Sequence, residues 1–181
     1  MPSVFNPTAS ATISAPPEKV FALLIDRTTW PRWNTFIPRA NLVPDPSSSP
    51  PSDSANDDGK LQLGQTLKFT VQARVFGSLR NVPGGSTEQV NILSTPDHVT
   101  GERGVWRLGW TQADKMMPRW LMKTHRVNEV VAEDGGGCTY RTYMTFEGPM
   151  AYVVKWLTGW MIQDGLIMWA DDLKEEAEKD S

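Results

Sequence analysis

The amino-acid sequence predicts an α+β domain in which an antiparallel sheet is covered by one long C-terminal helix. Segments that alternate between apolar and polar residues follow one another from residue 66 to residue 148, and short turns separate most of them. This order is typical of an antiparallel meander. Residues 150–170 are instead apolar at helical spacing. A sheet that is apolar on one face must be covered, and this helix is the large element available to cover it.

The N-terminal segment predicts a strand followed by one or two short helices. Residues 8–14, "TASATIS", alternate as in a strand. The segment "APPEKVFALLID" predicts a helix over about 17–25, because Pro17 suits a first helical turn and Glu18 complements the helix N-terminus. Pro31 in "RTTWPRWNTF" then indicates a second short helix or a turn, and "RANLV" begins a further strand.

Residues 44–60, "PDPSSSPPSDSANDDGK", differ in composition from the rest of the chain. They are rich in Pro, Ser and Asp, and they contain almost nothing that could be buried. Too little chain precedes them for an independent domain. We therefore expect a flexible surface loop inside a single domain that covers residues 1–181.

The central part of the chain predicts five strands. In "TLKFTVQARV", Leu67, Phe69 and Val71 share one face with two further apolar residues, and polar residues occupy the other face. "STEQVNILST" and "HVTGERGVWRLGW" predict two more strands. "RWLMKTHRVNEVVAE" and "CTYRTYMTFEG" predict the last two, joined by a glycine-rich turn. Gly148 and Pro149 then end the last strand and begin a helix.

The composition argues against several classes of function. The 181 residues carry a net charge of −3, so an extended phosphate-binding surface is not expected, and nucleic acid is an improbable partner. Two histidines and one cysteine cannot form a histidine-rich metal site or an internal disulfide. We found no motif typical of a nucleotide or metal site and therefore expect no cofactor. The N-terminus lacks the features of a secretory signal, which predicts a cytoplasmic protein.

The C-terminal helix is long enough to span a membrane, but its sequence argues against that role. Lys155, Gln163 and Asp164 fall within residues 150–170, and a charge near the middle of a span is costly. We therefore expect no transmembrane segment. One broad apolar stripe runs from Met150 to Met168 and contains Asp164, and a weaker stripe carries Ile162, Leu166, Trp169 and Leu173. The sequence leaves open which stripe faces the sheet.

Two segments resemble the START and birch-pollen-allergen-like (SRPBCC) superfamily. These are "ATISAPPEKVFALLIDRTTWPRWNTFIP" and "GPMAYVVKWLTGW…DGLIMWADDLKEEAE", which resemble the opening and the closing helix of that superfamily, particularly of its polyketide cyclase/dehydrase and lipid-transport-like branch. The resemblance implies a helix-grip fold, in which about six or seven antiparallel strands curve around the C-terminal helix. It also implies an apolar cavity between sheet and helix, which in such proteins holds lipids, quinones, sterols or polyketides.

The inward faces of the predicted elements supply candidate residues for the cavity wall. Aromatic and methionine side chains suit a flat or irregular hydrophobic ligand, although each of them could equally be ordinary core. The candidates are Trp30, Trp33, Phe36, Phe69, Val71, Trp106, Trp110, Trp120, Met122, Thr142, Met144, Phe146, Met150, Val154, Leu157, Trp160 and Met161.

A few polar residues could orient or react with a ligand. His125 could act as an acid or base if it points inward, and Tyr140 could hydrogen-bond a ligand oxygen. Arg103, or Arg107 on the same strand, could hold an enolate or a carboxylate, but both could be solvated. Asp164 is a candidate base if the broad stripe faces the cavity, and otherwise it is solvent-exposed.

These expectations support three functions that the sequence does not separate. The chain could be a carrier of a small hydrophobic molecule. It could be a cofactor-independent cyclase, dehydratase or isomerase of secondary metabolism that acts in the same cavity. It could also be a lipid or quinone chaperone whose exposed tryptophans contact a partner protein. A monomer and a homodimer are both compatible with the sequence.

Overall fold

The computed structural model describes residues 2–44, 58–96, 104–114 and 117–179. Within these ranges the chain forms short N-terminal elements, a run of strands and a long C-terminal helix. The elements are β1 (Ser3–Phe5), β2 (Thr8–Ile13), α1 (Pro17–Ile25), α2 (Trp30–Trp33), β3 (Arg39–Leu42), β4 (Thr66–Thr70), β5 (Gln72–Val75), β6 (Ser78–Asn81), β7 (Ser86–Ser94), β8 (Val105–Gln112), β9 (Lys123–Ala132), β10 (Cys138–Glu147) and α3 (Met150–Glu178).

Eight of the described strands form one antiparallel sheet, with the order β1-β10-β9-β8-β7-β4-β3 and with β2 also paired to β10. Strands β7 to β10 follow one another in sequence and in space, as the predicted meander requires. The sheet holds α3 against one face, so the predicted helix-grip fold is confirmed. The expected count of six or seven strands was slightly low, since the short β1 adds an edge.

The predicted strand over residues 66–75 is divided at Val71. Strand β4 belongs to the main sheet, whereas β5 pairs with β6 in a separate two-stranded hairpin. The backbone groups near the break explain the division. The Gln72 amide donates to the Phe36 carbonyl over 2.8 Å, and the Val71 carbonyl accepts from the Val82 amide over 2.8 Å. These bonds direct the chain away from β7 and toward α3.

The C-terminal half of α3 packs into the core through the weaker of the two apolar stripes. Leu166, Trp169 and Leu173 are fully buried, whereas Trp160 and Leu157 on the broad stripe are exposed. Gly165 lies directly beneath the ring of Phe36, and a Cβ atom at this position would collide with that ring. The absence of a side chain at residue 165 therefore allows this close approach and helps to fix the rotation of the helix.

Aromatic rings form the centre of the core between α2, the sheet and α3. Trp30 is fully buried and lies with its ring centroid 5.2 Å from that of Trp169. Trp33 packs edge-on against the same Trp169 ring, and Phe69 packs edge-on against Trp110. Such edge-to-face pairs add about 1 kcal/mol each to the free energy of burial. This cluster anchors the C-terminal half of α3.

The structure bears on the predicted loop and on the possibility of a membrane-spanning helix. Residues 45–57 of the loop predicted over residues 44–60 lie outside the described residues. None of the helices in the described ranges has a segment apolar enough to cross a bilayer.

Candidate ligand-binding cavity

A cavity of about 330 Å³ lies where β4, β7, β8, β9 and β10 approach α3. Its wall includes buried side chains, such as those of Phe36 and Trp110, and exposed residues, such as Asp114 and Gly85. It is lined by Phe36, Ile37, Phe69, Val71, Gly85, Ser86, Thr87, Glu88, Trp110, Gln112, Asp114, Met117, Met122, Thr124, Arg126, Met144, Phe146 and Ile162. The wall is therefore mostly apolar, with a few polar groups that could orient a ligand.

Arg126 on β9 is the most deeply buried charged group of the cavity wall, with 1% of its surface exposed. Its guanidinium carbon lies 4.2 Å from the ring centroid of Trp169 and 5.3 Å from that of Trp110, so two aromatic faces hold the cation. Its Nε donates a hydrogen bond of 3.1 Å to Oγ1 of Thr142. Its Nη2 is buried and makes no hydrogen bond within the described part of the chain. A ligand oxygen could accept from this nitrogen.

The position of Arg126 follows from strand alternation. Thr124, Arg126, Asn128 and Val130 occupy one face of β9 and are all buried. Arg126 stands opposite Met144 on β10 and opposite Trp110 on β8, and directly opposed residues share a face of the sheet. The two neighbouring strands therefore direct Arg126 into the cavity.

Glu88 on β7 is the second buried charged residue of the wall, with 7% of its surface exposed. Burial raises the pKa of its carboxyl to about 8, although a hydrogen bond with Ser86 and the charge of Arg126 oppose this shift. Glu88 therefore holds a proton at neutral pH. Its cross-strand partner Gln112 also lines the cavity and has a buried Oε1 that accepts no hydrogen bond from the described residues.

Tyr140 belongs to a buried network beside the cavity rather than to its wall. Its hydroxyl donates to Oδ1 of Asn128 over 2.7 Å, and Nδ2 of Asn128 donates to the Leu108 carbonyl over 3.1 Å. Both side chains are fully buried. Burial also raises the pKa of Tyr140, while the charge of Arg126 opposes that shift. The network holds β8, β9 and β10 together beneath Arg126.

The structure brings part of the predicted wall together. The predicted residues that line the cavity are Phe36, Phe69, Val71, Trp110, Met122, Met144 and Phe146. They come from the segment after α2, from strands β4, β8 and β10, and from the residues next to β4 and β9. The helix contributes Ile162, which belongs to the weaker stripe.

The other predicted wall residues lie elsewhere. Trp30, Trp33 and Trp106 are buried in the core, and Thr142 is buried where it accepts from Arg126. Leu157 and Trp160 are exposed, because the N-terminal part of the broad stripe of α3 faces away from the sheet, and Trp120 is exposed in the turn of residues 118–121. The half-buried residues that do not line the cavity are Met150, Val154 and Met161.

The predicted polar residues are not assembled into one site. His125 lies on the opposite face of β9 from Arg126, and burial lowers its pKa together with the nearby charge of Lys123. Asp164 is one-third exposed and lies 3.8 Å from Arg74, so it is an ion-pair partner on the surface. Arg107 forms an exposed ion pair of 2.8 Å with Glu129. Arg103 lies outside the described residues.

Glu88 and Arg126 were absent from the sequence-based candidates, yet a signal for each was present. The turn after residue 133 pairs Tyr140 with Val130 and Met144 with Arg126. Since Met144 was placed on the inward face, the same hairpin register places Arg126 there too. Glu88 shares its strand face with Val90, which is buried. In both cases, a charged residue on an otherwise apolar strand face indicated a polar group in the cavity wall.

Comparison with known proteins agrees with this architecture. A family described as "Polyketide cyclase / dehydrase and lipid transport" matches residues 5–176. A curated relative, oxopyrrolidines biosynthesis cluster protein O of Penicillium oxalicum, is 28% identical over 174 residues, covering 91% of this chain and 82% of the relative.

Solved structures with little sequence identity share the fold. A hypothetical protein of Helicobacter pylori has a TM-score of 0.68 at 14% identity, covering 97% of this chain and 89% of the other. The ZhuI aromatase/cyclase of a Streptomyces species has a TM-score of 0.62 at 10% identity, covering 96% and 93%. Norcoclaurine synthase of Thalictrum flavum has a TM-score of 0.54 at 13% identity over the whole of both chains.

Proposed function

Because this chain belongs to the polyketide cyclase, dehydrase and lipid transport family, we propose that its cavity binds one small hydrophobic carbonyl compound and promotes a ring closure or dehydration of it. The observation that carries the proposal is the presence of Arg126 and Glu88 on one largely apolar wall. The cavity volume of about 330 Å³ lies at the small end of ligand pockets, which favours a compact substrate.

Arg126 supplies a fixed positive charge where a carbonyl oxygen would become negative. Its aromatic neighbours and Thr142 already hold the guanidinium in place, so little reorganisation is needed when charge develops. Its Nη2 is the donor that remains available. A charge-assisted hydrogen bond in a site of low dielectric is worth more than the same bond in water.

Glu88 supplies the proton that such a reaction needs. An enol carbon of the bound substrate attacks a carbonyl carbon, and the carbonyl π electrons move onto its oxygen beside Arg126. Glu88, protonated at neutral pH, gives its proton to that oxygen, and the proton of the enol hydroxyl returns to the Glu88 carboxylate. In a dehydration, Glu88 would then give its proton to the new hydroxyl, which leaves as water, and the carboxylate would take the proton from the carbon between the two carbonyl groups. The residues end each cycle in their starting protonation states.

The curated relative suggests a substrate class. Its name places it in the biosynthesis of oxopyrrolidines, which are five-membered lactams. Ring closure of an amide that carries an active methylene group and an aldehyde forms an unsaturated five-membered lactam, a pyrrolinone, and releases water. We therefore propose N-(β-ketoacyl) amino aldehydes as the substrate class, with the aldehyde oxygen directed to Arg126.

The proposal is tested by following closure of N-acetoacetyl leucinal to its pyrrolinone by absorbance, with the wild-type protein and with Glu88→Gln. General acid–base catalysis contributes about 10²–10⁴-fold, so we expect Glu88→Gln to lower the turnover rate by at least a hundredfold with little change in binding. The matched control is Glu129→Gln, which changes a half-buried carboxylate that pairs with Arg107 and does not line the cavity. Turnover by Glu88→Gln at the rate of Glu129→Gln would contradict the assignment.

A carrier function in the same cavity is the second candidate, and the predominance of aromatic and methionine side chains in the wall favours it. A carrier would release its ligand unchanged. Native mass spectrometry of freshly purified protein would then detect a bound molecule of constant mass, and N-acetoacetyl leucinal would bind without conversion. Conversion by the wild-type protein that depends on Glu88 excludes a purely carrying role.

A further inference from the structure

The N-terminal half of α3 exposes a continuous row of large apolar side chains, which we name the α3 aromatic face. It consists of Tyr152, Val153, Trp156, Leu157 and Trp160. Their spacing of four residues places them on one side of the helix. Trp156 is 87% exposed and Leu157 is 69% exposed. A single exposed apolar residue needs no explanation, but a contiguous patch of this kind marks an interaction surface.

A neighbouring turn extends this surface. The Met150 amide, at the start of α3, donates to the Leu121 carbonyl over 3.0 Å, which places the turn of residues 118–121 beside the helix. Trp120 in this turn is 65% exposed, and Arg119 next to it is exposed as well. The first turn of α3 therefore lies against a segment that carries a further exposed tryptophan.

The charges of the helix are divided between its two halves. Residues 150–163 contain one charged side chain, that of Lys155, which is exposed. The nearby turn adds Arg119, and Lys123 follows it with a loose ion pair of 3.9 Å to Glu147. The second half of the helix is predominantly acidic, with Asp164, Asp171, Asp172, Glu175, Glu176 and Glu178 against Lys174, and Lys179 follows the last helical residue. The exposed apolar end is thus the cationic end of the helix.

We propose that the α3 aromatic face, together with Trp120 and its flanking cations, docks the protein on an anionic lipid bilayer. Tryptophan and tyrosine favour the interface between headgroups and acyl chains, because their rings combine apolar area with a polar atom. Lys155 and Arg119 lie beside these rings and complement anionic headgroups. The acidic second half of α3 is repelled by the same headgroups, so only the N-terminal end approaches the bilayer.

The position of this surface gives docking a consequence for the cavity. Met122 lies one residue beyond the turn that carries Trp120, and it lines the cavity. Ile162 lines the cavity from the opposite side of α3 to Trp160, because two residues turn a helix through about 200°. Docking would therefore place the cavity behind α3, about one helix diameter of 10 Å from the bilayer, where a hydrophobic ligand is most concentrated. The protein would exchange its ligand with the membrane rather than with water.

A second copy of the chain is a weaker candidate for the occupant. Isologous contact through the α3 aromatic face would bring Lys155 and Arg119 of each copy into the same interface, where the described surface supplies no acidic residue of α3 to oppose them. A bilayer that contains phosphatidylserine offers anionic headgroups to the cations and an interfacial region to the aromatic rings.

The test is cosedimentation of the full chain with vesicles of phosphatidylcholine alone and of phosphatidylcholine mixed with phosphatidylserine. We expect stronger binding to the mixed vesicles and a blue shift of the tryptophan emission on binding. Trp156→Ser should weaken binding to both by about tenfold or more, since it removes one large side chain that docking would bury in the bilayer. The double variant Lys155→Gln with Arg119→Gln should weaken binding to the mixed vesicles by about 25-fold, at about fivefold for each charge.

The matched control is Ile167→Ser, which changes an exposed apolar residue in the acidic half of the same helix. It should bind vesicles as the wild type does, and circular dichroism should show all variants folded. Wild-type protein that stays in the supernatant with both vesicle compositions would overturn the proposal. Equal binding by Trp156→Ser would overturn it too. So would a dimer in sedimentation velocity that Trp156→Ser dissociates, since a second copy would then occupy the face.

Discussion

Burial shifts the protonation equilibria of Glu88 and Arg126 in the same sense, toward their neutral forms. Arginine nevertheless stays charged at neutral pH, because its ordinary pKa is so high. Glu88 becomes a protonated acid for the same reason that an isolated carboxylate is costly to bury. The wall therefore offers a cation and a neutral acid together at neutral pH, which is the pair that an enolate chemistry uses.

The raised pKa of Glu88 makes the stability of the protein depend on pH. Its folded pKa of about 8 exceeds its ordinary value of 4.5, so the folded state binds the proton more tightly than the unfolded state. This contribution to stability is complete below about pH 4.5 and is lost as the pH rises to about 8. Chemical denaturation should show that the free energy of unfolding of Glu88→Gln rises relative to that of the wild type across this pH window, by up to about 5 kcal/mol. A constant difference would contradict the shift.

Arg126 should contribute more to the affinity for an anionic ligand than to the free energy of unfolding. Replacing a buried charged residue by an apolar one of similar size is often neutral or stabilising. At pH 6, where Glu88 is protonated, Arg126→Met should unfold at the same denaturant concentration as the wild type or a higher one. The anionic probe 1-anilinonaphthalene-8-sulfonate should bind Arg126→Met at least tenfold more weakly, measured by fluorescence. Arg107→Met, on the exposed face of β8, should bind the probe normally.

At the residue scale, sequence patterns identified the apolar wall better than its polar groups. Phe69 and Met144 were found because an apolar residue on an alternating strand faces the covered side. Tyr140 was placed on the correct face, but its partner Asn128 could not be foreseen from spacing alone. His125 and Arg126 are neighbours, so an error of one residue in strand phase exchanges their faces. The phase became clear only from the register of the β9–β10 hairpin.

At the scale of elements, α3 performs two tasks with its two halves. Its C-terminal half is held by Trp169 and Leu173 in the core, while its N-terminal half overlies the cavity edge through Ile162. Gly165 lies at the junction, beneath Phe36. The rotation of the helix was left open by the sequence, because both stripes are apolar. Contact between Gly165 and Phe36, which joins distant parts of the chain, explains why the weaker stripe is buried while Leu157 and Trp160 of the broad stripe are exposed.

Two glycines of α3 should respond oppositely to alanine. Gly165→Ala would press the new methyl group into the Phe36 ring. Overpacking costs about 1–3 kcal/mol and outweighs the gain of about 1 kcal/mol in helix propensity, so thermal denaturation should show a lower Tm. The displaced Phe36 lines the cavity, and probe binding should weaken with it.

Gly159→Ala is the matched control, because its Cβ would lie 3.3 Å from the tip of the Phe5 ring near the chain terminus, where the ring can shift. This variant should be as stable as the wild type or slightly more stable. Equal Tm values for the two alanine variants would contradict the role given to Gly165.

At the scale of the whole molecule, the order of elements was enough to predict the fold. A meander of one-sided strands and a single long helix leave few arrangements that bury both apolar surfaces. The break between β4 and β5 was not predictable, because the apolar alternation runs through Val71 without interruption and the break depends on backbone hydrogen bonds to Phe36 and Val82. The cavity depends on how far sheet and helix separate, which periodicity does not measure.

The most direct test of the central claim, that Glu88 acts as the buried acid of a catalytic cavity, is the pH dependence of turnover. The rate of pyrrolinone formation from N-acetoacetyl leucinal would be measured between about pH 5 and pH 10 for the wild type and for Glu88→Gln. We predict that the wild-type rate falls as the pH rises through about 8, and that the slow rate of Glu88→Gln shows no such fall. A wild-type rate that is constant across this range, or a Glu88→Gln variant with the same rate and the same fall, would contradict the claim.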